Sequence, residues 1–246
     1  MQRYFLNAHA EVGEQYTIEH KDDVHHIKNV MRQHVGDQCI INFTNGTMVV
    51  ELIDIGSQVT VKAVEPLDIQ TEMPISVTIA SGLLKNDKYE WMIQKATELG
   101  AHSFMPFVSE RTIVKVDEKK FQKKLERFEK IVKEAAEQSY RQIVPYVQFA
   151  NSGKSLVKEL EVFDHVLIAY EETAKTGETK SFTEAIKHIK HGDKVCVIFG
   201  PEGGLSETEI ALFSGTTVGL GPRILRAETA PLYALSALSF YFELNV

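Results

Sequence analysis

The hydrophobic pattern divides the chain into a region of alternating positions and a region of unbroken apolar runs. In "QCIINFTNGTMVVELIDIG" two β-prone stretches flank Asn45-Gly46, a dipeptide suited to a hairpin turn that needs φ > 0 at both central positions. "SQVTVKAVEP" adds an alternating strand ending at Pro66. Ahead of the hairpin, Val24, Ile27, Val30 and Met31 recur at helical spacing, and Gly36 is placed to stop the helix. The pattern predicts a short helix docked on a small barrel or sheet.

Pro66 and Pro74 bracket a polar stretch that reads as a linker, beyond which strand and helix patterns alternate. "ISVTIASG" and "SFMPFVS" are strand-like. Between them "NDKYEWMIQKATELG" offers Asn86 or Asp87 as N-cap, an apolar stripe of Tyr89, Met92, Ile93, Ala96 and Leu99, and Gly100 as the stop. A longer helix carries Phe121, Leu125, Phe128, Val132 and Ala135 on one side, so its lysines face outward. "HVLIAY", "KVCVIF" and "TTVGL" lack polar alternation, as expected of strands covered on both faces in a parallel sheet. The fold class expected is α/β, with a small β-rich unit over residues 1–70 and an α/β domain over 73–246.

Composition changes this picture little. With 246 residues, 43% hydrophobic and 25% charged, the chain can bury one large core or two smaller ones. No apolar stretch approaches the roughly 18 residues of a membrane span, and the N-terminus lacks the basic segment and apolar core of a secretory signal, so a cytoplasmic protein is expected. Cys39 and Cys196 each sit inside an apolar run, which suggests buried packing. A formal charge of −7 argues against broad attraction to nucleic acid while leaving room for a local basic face.

Two loops carry the candidate chemistry. "VIFGPEGGLSETEI" places Gly200, Pro201, Glu202, Gly203 and Gly204 directly after a strand, with Ser206 and Glu209 spaced as a capping box. No lysine-serine/threonine pair follows, the G-x-G-x-x-G spacing is missing, and Glu202 would repel a phosphate. An acidic loop of this kind suits a cation, or a hydroxyl or amine needing an acceptor. A plain strand-to-helix turn is the default alternative. The second loop, "VGLGPRILRAETAPLY", ends a strand at Leu220 with Gly221-Pro222 and passes through Ile224-Leu225 beside Arg226 and Glu228. It reaches Thr229 as N-cap candidate with Pro231 in the first turn. Its apolar pair either covers core or walls a slot for a flat heterocycle.

These two stretches, "FGPEGGLSETEI" and "LGPRILRAETAPLYALSAL", resemble the C-terminal motifs of the RsmE family, the bacterial 16S ribosomal RNA uracil-N3 methyltransferases of the SPOUT class. The resemblance continues through "KNDKYEWMIQKATELGAHSFMPFVSERTIVK", "EAAEQSYRQIVP", "HHIKNVMR" and "RYFLN", and so spans nearly the whole chain. Tyr140 is one departure, standing where relatives often carry a small residue. The resemblance implies a deep trefoil knot in the C-terminal domain, a PUA-like N-terminal barrel that helps hold RNA, and a homodimer with active sites near its interface. It implies S-adenosylmethionine (SAM) as methyl donor, no metal, and 16S rRNA, within the assembled 30S subunit, as partner.

Carried over by position, Gly200, Pro201, Glu202, Gly203, Gly204, Leu220, Gly221, Ile224, Leu225, Arg226, Thr229 and Ala230 are expected to form the cofactor cleft. Methylation at N3 requires loss of the N3 proton, so the protein must favour the uracil anion. Arg141 and Arg226 are candidates for stabilising that charge on the uracil oxygens or for holding the nearby phosphate. For the proton acceptor Glu202, Glu137 and solvent all stay open. Candidate RNA contacts are Arg3, His25, His26, Lys28 and Arg32 in the first region, with Lys85, Lys88, Lys95 and Arg111 in the second. Action on another rRNA or tRNA position, and a non-catalytic RNA-binding assembly factor, are the competing readings.

Overall fold

A computed structural model describes residues 1–113, 118–171 and 180–245. Val114 and Lys115, in one of the quoted motifs, lie outside the described residues. The chain forms two compact units, one of residues 1–72 with 136–144, the other of residues 73–135 with 145–246.

In the first unit β1 (Arg3–Phe5), β2 (Gln15–Ile18), β3 (Gln38–Phe43), β4 (Gly46–Ile55) and β5 (Val59–Pro66) form a sheet of order β1-β3-β4-β5-β2. β1 runs parallel to β3 and the other pairs are antiparallel. Register shifts at Val49/Val50 and Leu52/Asp54 bend the ten-residue β4, and the sheet closes on Tyr4, Ile27, Cys39, Ile41, Val50, Leu52, Val59 and Val61. The hairpin forms at the predicted dipeptide, with Phe43 opposite Gly46, but Asn45 is not among the residues with positive φ. Its side chain is committed elsewhere: Oδ1 accepts from Ala10 N at 2.8 Å and Nδ2 donates to Ala10 O at 2.9 Å, which fixes the turn by a cross-loop amide pair.

The predicted helix around Val24 is short. α1 (Lys21–His25) passes into a π turn at His26–Val30, and the wider turn leaves Val30 and Met31 exposed while Val24 and Ile27 stay buried. The chain turns away at Arg32 (φ +52), before Gly36. Residues 136–144, inside the range read from sequence as the α/β domain, belong to the first unit. Arg141 explains the attachment. It is 2% exposed, donates through Nε and Nη2 to the Glu72 carboxylate, and its carbonyl accepts from Asn42 Nδ2 at 2.9 Å.

The second unit holds a parallel sheet of order β11-β9-β10-β6-β7-β8, made of β6 (Ser76–Gly82), β7 (Ser103–Phe107), β8 (Tyr146–Val147), β9 (His165–Ala169), β10 (Lys194–Phe199) and β11 (Thr216–Val218). The described helices are α2 (Lys88–Glu98), α3 (Glu118–Gln138), α4 (Gly153–Leu160), α5 (Ser181–Lys187), α6 (Glu207–Phe213) and α7 (Ala230–Ser239), the last running into a π turn at Phe240–Leu244. The apolar runs form the inner strands because they are covered on both faces: Val195 to Phe199 are all buried. In α3, Phe121, Phe128, Val132 and Ala135 are buried as the stripe predicts, and Phe128 stacks on Tyr89 at 5.0 Å. The register sets Phe199 level with Ser81 on one side and Ala169 on the other, and Ala169 level with Val218. Four strands therefore release their loops from one edge of the sheet.

Candidate functional site

At that edge lies a cleft of about 370 Å³. Its floor is the ends of β9, β10 and β11, at Ala169, Phe199 and Val218, and its two walls are the loops that follow β10 and β11. Such a crevice, outside the carboxyl ends of parallel strands, is where open α/β sheets bind ligands.

The loop after β10 is closely fitted. Gly200 must lack a side chain because a Cβ there would come within 2.6 Å of the Gly204 carbonyl carbon. Gly82, at the end of β6, must lack one because its Cβ would lie 2.5 Å from Pro201 Cδ. Gly204 N donates to Pro201 O at 2.9 Å and closes the turn. Ser206 and Glu209 form the capping box expected of them, and Glu209, 2% exposed, also accepts from Glu110 N and Ser109 Oγ. Arg111 Nη1 donates to Gly203 O at 3.1 Å. Glu202 is exposed, and its Oε1 accepts from Lys85 N at 3.0 Å, so the carboxylate ties the loop after β6 to the glycine loop.

The loop after β11 has the opposite character. Leu225 is half-buried and Ile224 is 59% exposed at the cleft. Thr229 holds the N-cap position of α7, with proline in its first turn, but its side chain caps nothing. Lys88 Nζ lies 3.0 Å from Glu228 Oε1 and ties this loop to α2. Burial pushes the Glu228 carboxyl up, while a backbone N–H, Lys88 and Arg226 outweigh it and hold the group below the usual carboxylate range.

Three comparisons bear on this cleft. An RNA methyltransferase domain matches residues 71–239, and an RNA methyltransferase PUA domain matches residues 21–63. The ribosomal RNA small subunit methyltransferase E of Bacillus subtilis is 47% identical over 251 residues, covering 99% of this chain and 98% of its own length. The chain belongs to the RsmE family. Among solved structures, the SAM-bound small subunit methyltransferase E of Neisseria gonorrhoeae superposes with TM-score 0.82 at 25% identity, covering 98% of each chain. A Legionella pneumophila methyltransferase in complex with SAM gives 0.83 at 28%, covering 97% of each.

In this RsmE-family chain the cleft gathers Gly200, Pro201, Glu202, Gly204, Leu220, Ile224, Leu225, Arg226 and Ala230 from the sequence-predicted set. Gly203, Gly221 and Thr229 are not among its lining residues. The cleft also takes in residues outside that set: the β9 end, Ala169, Tyr170 and Glu171, together with Lys88, expected from sequence as an RNA contact, and Glu228. The "HVLIAY" run marked β9 as a strand, but only the sheet order shows that its end adjoins β10. Arg141 does not line the cleft, and its guanidinium is held by Glu72. Glu137 lies in the last turn of α3, in the first unit.

The basic candidates are dispersed. Arg3 stacks on the half-exposed Tyr140 ring at 4.6 Å and donates to the Tyr140 carbonyl, His26 Nδ1 meets Tyr4 Oη at 3.0 Å, and Lys28 donates to Gly56 O. His25 and Arg32 are exposed on the first unit, and Lys85 on the second. Lys95 pairs with Glu98 at 2.7 Å on α2. Among the described residues no group of three or more His, Cys, Asp or Glu is placed to hold a metal, and no helix is long and apolar enough to cross a membrane.

Proposed function

We propose that this chain transfers the methyl group of SAM to N3 of one uridine in 16S rRNA, acting on the assembled small subunit in the cytoplasm. The observation that carries the reading is the cleft itself. Its apolar walls, Leu205, Leu220, Ile224 and Leu225, suit a flat heterocycle, and the carboxylates of Glu171 and Glu202 on its lining suit the hydroxyls and positive charge of a sulfonium nucleoside. SAM supplies an electrophilic methyl whose departure leaves a neutral thioether. The chain's contribution is to hold the donor between two loops, exclude water with Ile224 and Leu225, and place Arg226 where it can offset negative charge on a uracil oxygen.

The β-rich part of the first unit, residues 1–70, is proposed to grip RNA through Arg3, His25, His26, Lys28 and Arg32, with Lys85, Lys88, Lys95 and Arg111 contributing from the second. Since Glu72 holds the Arg141 guanidinium, the favoured role for Arg141 is to anchor residues 136–144. A homodimer is supported by Tyr233, Phe240 and Leu244, which leave an exposed apolar stripe along α7 and its π turn. Sedimentation at the mass of a single chain would remove that element. The trefoil threading of the C-terminal domain belongs to the same proposal. Incubation with labelled SAM and undermethylated 30S particles should place label on a single uridine, mapped by nucleoside mass spectrometry as 3-methyluridine. Label on another base or on ribose would redirect the proposal to a different target, and no transfer with no SAM binding would leave an assembly factor.

A further inference from the structure

Glu228 stands where the cofactor cleft meets a second hollow. That hollow, about 480 Å³, is lined by Asn86, Asp87, Lys88, Trp91, Glu228 and Thr229, so Lys88 and Glu228 form the wall common to both. Trp91 is the only tryptophan in the chain and is 46% exposed. Its indole offers a stacking face for a single base, as aromatic side chains do in recognition of unpaired RNA. The Glu228 side chain is 14% exposed. Oε1 faces Lys88, whereas Oε2 is buried and, apart from the residue's own backbone N–H, meets no donor among the described residues. A buried carboxylate oxygen without a donor is costly, and such vacancies point to a donor brought by a ligand.

The other carboxylates at the cleft are less available. Glu202 already accepts the Lys85 N–H, and Glu171 has an interaction of its own. We infer that the Glu228 carboxylate accepts the N3 proton of the target uracil, with the base stacked toward Trp91 and Lys88 beside a uracil carbonyl. The inference rests on the methyl-transfer reading above. In the step, the N3–H bond breaks and its electron pair stays on nitrogen, the N3–methyl bond forms as the sulfonium–methyl bond breaks with its pair left on sulfur as a neutral thioether, and the proton ends on Glu228. From there it passes to solvent through the open second hollow, which restores the carboxylate. Lys88 and Asp87 share the lining of the second hollow with Glu228, Arg223 and Arg226 lie on its own loop, and Glu171 and Glu202 line the rest of the cleft. Lys88, 3.0 Å from Oε1, and Arg226 on the same loop keep Glu228 ionised at neutral pH, so the carboxylate is present in its accepting form although the same charges lower its basicity.

The test compares wild type, Glu228→Gln, Glu228→Asp and Lys88→Met, using SAM calorimetry and methylation of undermethylated 30S particles across the pH range. Glu228→Gln should bind SAM as wild type does and lose at least about a hundredfold in kcat, the usual scale for a missing general base. Its residual rate should climb about tenfold per pH unit, because solvent must then take the proton, while wild type stays flat above the acid range. Glu228→Asp should keep the flat profile at a reduced rate. Removing the Lys88 charge should move the acid limb to higher pH, since that charge lowers the Glu228 pKa. A Glu228→Gln enzyme with near-wild-type kcat and a flat profile would overturn the inference. So would a loss of SAM affinity matching the loss of rate, which would make Glu228 a cofactor ligand. Failure of wild type itself to methylate would instead count against the proposed function.

Discussion

The two loops that wall the cleft are built in opposite ways. The loop after β10 is held by its own protein: a turn closed within Gly200 to Gly204, Pro201 seated on Gly82, Glu202 on Lys85 N, Arg111 on Gly203 O and a capping box behind it. The loop after β11 has fewer ties, chiefly Gly219 N to Ser181 Oγ, Thr229 N to Arg226 O, and the Lys88–Glu228 pair. It also presents Ile224 to water. A preshaped surface binds without ordering cost, whereas a loosely tied apolar loop gains its contacts only when a ligand covers it. The difference assigns the first loop to shape and the second to closure, and substitutions at three positions probe it.

The largest effect is expected from Gly82→Ala. A methyl 2.5 Å from Pro201 Cδ and 2.7 Å from Pro201 N cannot be accommodated without moving the glycine loop's backbone. Overpacking of this kind costs about 2–3 kcal/mol, a fall in Tm of roughly 5–10 °C for a chain of this size, with SAM binding lost alongside. Thermal melts and calorimetry would check both, and an unshifted Tm would show that the loop gives more readily than its contacts imply. Leu225→Asp separates the two properties. The side chain is half-buried in the free protein and lines the cleft, so stability should change by less than about 0.5 kcal/mol. SAM affinity should fall by roughly fiftyfold or more, because the ligand would cover an unpaired charge. Affinity retained in calorimetry would mean that Leu225 does not close on the ligand.

The same contrast explains what could be read from sequence. Val195 to Phe199 and Val77 to Ala80 read as covered strands because burial on both faces leaves no alternation, and Ser206 and Glu209 read as a capping box because that motif is local in the chain. Interactions set by long-range pairing could not be read. Nothing near Glu202 in sequence points to Lys85, 117 residues away, and nothing near Arg141 points to Glu72, 69 residues away. The lining from Ala169 to Glu171 escaped notice because it depends on β9 lying between β10 and β11. The turn at Asn45-Gly46 was placed correctly, yet its geometry is governed by Ala10, a partner no dipeptide rule contains.

Glu202 gives the finest division between shape and chemistry, since it was a candidate for both. If its carboxylate serves to hold the loop, what matters is an acceptor for Lys85 N rather than a charge. Glu202→Gln keeps a carbonyl oxygen at nearly the same reach, so it should leave SAM affinity within about threefold of wild type, the charge-assisted part of one hydrogen bond being modest at an exposed position. Glu202→Ala removes the acceptor altogether. The exposed Lys85 N–H can then turn to water, so the loss should stop at about 1 kcal/mol, or roughly fivefold in affinity. Calorimetry on the pair is decisive because the order of the two variants carries the information. Gln near wild type with Ala weaker identifies a tether. Equal, large losses in both would mean that the negative charge itself faces the bound ligand, and the loop after β10 would then contribute chemistry as well as shape.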